Sequence, residues 1–160
     1  MAQALLIIGV GNVLMGDDGV GPRLAAALQR DASLLPVCTR VVDGGTLGLS
    51  LLPVLDGAGT VLVLDALDTG SPPGTVTLLR GPACEGALGR PLSAHQLAVA
   101  DLLAAARLTG YDGGVAVLGI QPGDVTPGVE LSPAVTGSFP AAVVAARRAA
   151  WFLFDPAGAS

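Results

Sequence analysis

At 160 residues, 51% of them hydrophobic, the chain is long enough to bury roughly 70% of its unfolded surface. One domain over residues 1–154 with a loose tail at 155–160 is expected. A net charge of −5 with 13 acidic side chains disfavours a nucleic-acid partner, and all eight basic residues are arginines, which excludes a Walker-type phosphate loop, a lysine Schiff base and a Ser/Lys dyad.

Five short apolar runs bounded by Gly, Pro, Asp or Asn read as strands: Leu5–Val10, Thr39–Val42, Thr60–Leu64, Thr75–Leu79 and Val115–Ile120. Helical patterns lie between them: Val20, Leu24 and Leu28 at four-residue spacing, then Leu47–Val54, Leu97–Leu108 and Ala141–Phe154. The order βαβαββαβα, with strands apolar on both faces, predicts an α/β fold. The expected architecture is a three-layer αβα sandwich around a five-stranded, mostly parallel sheet. The apolar stretches Leu5–Ile8, Val61–Leu64 and Ala149–Phe154 fall far short of the ~20 residues that span a bilayer. No basic leader precedes the first strand, so a cytoplasmic protein without a membrane partner is expected. Cys38 and Cys84 form no paired motif and read as free thiols.

Open parallel sheets bind ligands outside the carboxyl ends of their strands, so the residues after each strand matter most. The first strand leads into Gly9-Val10-Gly11-Asn12 and then Asp17-Asp18-Gly19. Pro22 suits a first helical turn, which starts the helix around Gly19–Gly21 and leaves both aspartates ahead of it. Asp17 and Asp18 can cap that helix or face a ligand. A dinucleotide fingerprint fails, because Leu14 stands where a third glycine is needed and two carboxylates repel a pyrophosphate.

Asp65 directly follows the apolar run Val61–Leu64 and so sits at the carboxyl edge. Asp43, followed by Gly44 and Gly45, can bond turn amides or join a site. His95 is the single histidine, and Ser93 and Gln96 form a capping box around it. In a first helical turn the positive end of the helix dipole disfavours imidazolium, which leaves a neutral nitrogen for a metal. Asp18, Asp65 and His95 can then converge on a divalent ion with open positions. Asp68-Thr69-Gly70-Ser71 spells an aspartic-protease string, but a single copy in an α/β pattern reads as a turn, since those enzymes pair two carboxylates. No GxSxG elbow occurs, and neither cysteine neighbours His95 in sequence.

Taken together, these strings resemble the [NiFe]-hydrogenase maturation proteases. The likeness covers Gly9-Val10-Gly11-Asn12 through Gly21, Asp43-Gly44-Gly45-Thr46, Asp65-Ala66, and Ser93-Ala94-His95-Gln96-Leu97. Gly119-Ile120-Gln121-Pro122 and Glu130-Leu131-Ser132-Pro133 continue it. The Gly-x-Gly-Asn opening is also similar to that of peptidyl-tRNA hydrolases, but the acidic pair behind it suits no RNA substrate.

The resemblance implies an endopeptidase that removes a C-terminal peptide from the nickel-loaded precursor of a hydrogenase large subunit. It implies Asp18, Asp65 and His95 as the metal-contacting residues, with Asp17, Asp43 and Asn12 behind them or toward substrate. The nickel is then supplied by the precursor, with no organic cofactor, and a monomer suits docking on a large partner. A non-proteolytic nickel-sensing chaperone using the same residues is the alternative.

Overall fold

The computed structural model describes residues 3–81, 84 and 94–154; side chains are described from residue 5 and, in the helix opening at Ala94, from Val99. The expected tail at 155–160 and the cap at Ser93 lie outside the described residues. Strand β1 (Gln3–Val10) pairs in parallel with β2 (Thr39–Gly45) and β3 (Ala58–Ala66). Strand β4 (Val76–Arg80) runs antiparallel to β5 (Gly114–Ile120), which is parallel to β3. The sheet order β2-β1-β3-β5-β4 is the five-stranded, mostly parallel sheet expected from the apolar runs.

Alternation along the strands sorts the core into two layers. Leu5, Ile7, Leu62, Leu64, Leu118 and Ile120 pack under α1 (Val20–Arg30) and α3 (Pro133–Phe154). On the other face, Leu6, Ile8, Val61, Val63 and Val117 meet α2 (Ala94–Leu108) and the 48–55 segment. Each of these buried aliphatic side chains is worth about 1.5–3 kcal/mol against exposure. No helix among the described residues is long and apolar enough to cross a membrane.

Two expectations change. Residues Gly48–Leu55 form a 3₁₀ helix rather than an α-helix; in an α-helix the Pro53 ring would clash with the carbonyl four residues before it. Helix α3 begins about two turns before Ala141. Pro133 occupies its first position and the Ser132 Oγ accepts the Val135 N–H at 3.4 Å, a start that outweighs Gly137 and Pro140 inside the helix.

Two features of this topology position a site. The chain leaves β1 toward β2 and leaves β3 toward the opposite edge, so the switch point where ligands bind lies above the ends of β1 and β3. Helix α2 ends at the opposite, amino edge, where the Tyr111 hydroxyl donates to the carbonyls of Gly114 at 2.8 Å and Gly59 at 3.4 Å. Its first turn therefore lies at the carboxyl edge.

Candidate active site at the carboxyl edge

The glycines after β1 bring the acidic pair down onto the sheet. A Cβ on Gly21 would lie 2.3 Å from the carbonyl oxygens of both Val10 and Leu64, so only glycine lets α1 start directly on the ends of β1 and β3. Just ahead of it, Gly16–Gly19 form a 3₁₀ turn that holds both Asp17 and Asp18 and packs against β3. Neither aspartate caps α1, whose N-cap is Gly19 without a side-chain bond. The capping reading is thus displaced by longer-range roles.

Asp18 is 7% exposed. Its Oδ2 accepts the Asn12 N–H at 3.1 Å, and its own N–H donates to the Met15 carbonyl at 3.2 Å. Asn12 thus reaches Asp18 through its backbone, while its side-chain Oδ1 accepts the Leu14 N–H at 2.9 Å and shapes the turn. Asp65 is 1% exposed and lies opposite Gly119 of β5, where no side chain crowds it from that strand. Strand alternation puts it on the same face as Val61, Val63 and Leu67, the face that α2 covers. His95 is the second residue of α2, so its backbone belongs to the carboxyl edge; its side chain lies outside the described residues.

Asp17 is fully buried and serves a different end. Its Oδ2 accepts the N–H groups of Gly123 at 2.8 Å and Asp124 at 2.9 Å, and its Oδ1 accepts that of Ser132 at 2.7 Å. Burial pushes its pKa up, but these amides and the Ser132 hydroxyl outweigh burial and hold the carboxyl below its ordinary value. Asp43 is exposed and accepts the Gly45 N–H at 3.0 Å, the turn-bonding role open to it from sequence.

Gln121, which sequence reasoning assigned no role, is buried at the end of β5. Its Oε1 accepts the Thr69 N–H at 2.8 Å and its Nε2 donates to Asp68 at 3.1 Å. The loop leaving Asp65 is thereby fixed to the next strand. Asp68 also accepts the Gly70 N–H at 2.9 Å; these bonds lower its pKa, and the string around it is the turn expected. Among the described residues, no three His, Cys, Asp or Glu side chains gather as a metal cluster.

An open α/β sheet with carboxylates sunk at its switch point defines a protein that receives a ligand or chain segment at the strand ends. Comparison with known proteins specifies which. The model of the hydrogenase maturation protease family matches residues 22–149. The hydrogenase expression/formation protein HupD of Rhodobacter capsulatus is 38% identical over 151 residues, 91% of this chain and 70% of that one. The hydrogenase 2 maturation protease of Escherichia coli K12 is 33% identical over 133 residues, covering 82% and 80%. The solved hydrogenase maturating endopeptidase HybD of E. coli superposes with a TM-score of 0.83 at 31% identity over 91% of each chain. The chain belongs to the hydrogenase maturation protease family and is an endopeptidase. These likenesses favour peptide-bond hydrolysis over the non-proteolytic chaperone.

Proposed function

We propose that the chain removes a C-terminal peptide from the nickel-loaded precursor of a hydrogenase large subunit, with nickel arriving as part of the substrate. The observation that carries this reading is the burial of Asp18 and Asp65 at the β1/β3 switch point. Carboxylates at the switch point of an open α/β sheet stand where its ligands bind. Asp18 and Asp65 offer hard oxygen donors and His95, in the first turn of α2, a ring nitrogen, a donor set that suits a divalent ion with open positions.

In this reading the trio recognises loaded precursor and holds its C-terminal segment at the crevice, while Asp17 and the Asn12 backbone fix the turn that carries Asp18. Asp43 lies at the exposed rim, toward substrate. No organic cofactor takes part, and the protein works as a cytoplasmic monomer on its protein substrate. Purified protein incubated with nickel-loaded precursor should lower the precursor mass by that of its C-terminal peptide. An unchanged mass with correctly loaded precursor sinks the proposal.

A further inference from the structure

The buried Asp17 carboxylate fastens a loop that the proposed chemistry leaves unexplained. Besides its three carboxylate contacts, the Asp17 N–H donates to the Asp124 carbonyl at 2.8 Å. The Gly16 N–H donates to the Gly128 carbonyl at 2.9 Å, and the Gly128 N–H to that of Leu14 at 2.8 Å. Met15 and Gly128 form a parallel bridge. Gly16 has φ +57°, and a Cβ there would lie 2.7 Å from the Asp124 carbonyl oxygen, so the two segments meet as closely as glycine permits. Arg23 of α1 adds a bond to the Val129 carbonyl. Residues 13–15 and 124–129 thus form one fixed ridge beside Asp18.

That ridge turns apolar side chains outward: Val13 is 42% exposed, Leu14 61%, Val125 46% and Val129 61%. Polar residues could have closed the turn as well, and exposed apolar side chains carried on one bonded ridge beside a site mark a contact surface. We infer that this ridge is the docking surface for the folded body of the protein substrate, an inference that rests on the function proposed above. Exposed Asp124 and Glu130 flank it on a chain of net charge −5. The partner it fits is therefore a protein patch that is apolar at its centre and basic at its rim, rather than an anionic lipid surface or a nucleic acid. Because the ridge is held rigid beforehand, docking orders little of it, which favours affinity.

The test compares full-length protein carrying Leu14→Ser and Val129→Ser together with a control, Leu108→Ser, whose side chain is 89% exposed at the amino edge. On nickel-loaded precursor, the ridge variant should raise KM ~10-fold or more, the scale of losing two interface anchors, with kcat within about twofold and an unchanged circular dichroism spectrum. Leu108→Ser should match wild type. An unchanged KM in the ridge variant, or an equal rise in the control, overturns the docking surface. Precursor binding to immobilised protein, read independently of cleavage, keeps the two proposals separate. Ridge-dependent binding without any cleavage by wild type supports the ridge and removes the proteolytic step; cleavage with ridge-independent binding does the reverse. Should the double variant fail to fold, Val125→Ser alone replaces it with the same expected direction.

Discussion

The two edges of the sheet are built from the same strands and differ in what they bury. At the carboxyl edge lie Asp17, Asp18, Asp65 and Gln121, the buried polar and charged side chains among the described residues. The amino edge is closed instead by local contacts. Tyr111 bonds the starts of β3 and β5, and Arg107 donates to the carbonyls of Tyr111 at 3.1 Å and Gly113 at 2.8 Å while stacking on the Tyr111 ring. One neutral hydroxyl and one exposed arginine suffice to close this sheet end. Buried carboxylates need amides or a ligand to receive them; Asp17 is received by amides of the 123–132 segment and secures the fold, while Asp18 and Asp65 stand at the strand ends where ligands bind.

The largest effect should come from Asp65→Asn. It keeps the side-chain shape and removes the charge, and processing of loaded precursor should fall by more than the ~10–100-fold that losing an outer-shell partner of a metal site typically costs. Residual activity within tenfold of wild type would place Asp65 outside the chemistry. Gly21→Ala should act on the fold itself, since its Cβ meets two strand carbonyls at 2.3 Å. A loss of ~1–3 kcal/mol or more is expected in urea unfolding, along with reduced processing, and wild-type stability would refute the close approach.

Asp17→Asn presents an amide N–H₂ to backbone donors and should destabilise by ~1–3 kcal/mol at neutral pH. Because the folded-state pKa of Asp17 is lowered, its contribution is full above the ordinary carboxylate pKa and is lost as pH falls through the folded value. The gap between wild type and variant should therefore close in acid, and a gap that widens there contradicts the amide cradle. Smallest of all, Tyr111→Phe at the amino edge should cost about 0.5–1.5 kcal/mol in thermal unfolding and leave processing untouched. A clear loss of processing would erase the distinction between the edges.

Much of this contrast is legible in the residues. The apolar run ending in Asp65 announces a buried parallel strand and marks its carboxyl end, whereas the run ending in Asp43 carries Arg40 and belongs to the edge strand β2, which is only half-buried. Pro22 limits where α1 can begin, and the structure starts it at Val20. The part that stays hidden is long-range. Asp17 and Asp18 are adjacent and chemically identical, yet one turns to amides more than a hundred positions away and the other stays with Asn12. No local period carries that difference. Gln121 stood within a recognised string, but its grip on the 68–75 loop depends on β4 and β5 pairing. The early start of α3 was masked by Gly137 and Pro140, residues that weaken helices locally but are overridden by the Ser132 cap and by packing of Val135 and Ala142 in the core.

The measurement that tests the central claim most directly is a four-way processing assay, with wild type and Asp18→Asn each given nickel-loaded and nickel-free precursor and the fold of both proteins checked by circular dichroism. The account predicts shortening only where wild type meets loaded precursor, with the variant folded and inactive. Equal shortening of nickel-free precursor by wild type, or wild-type activity in Asp18→Asn, would contradict it.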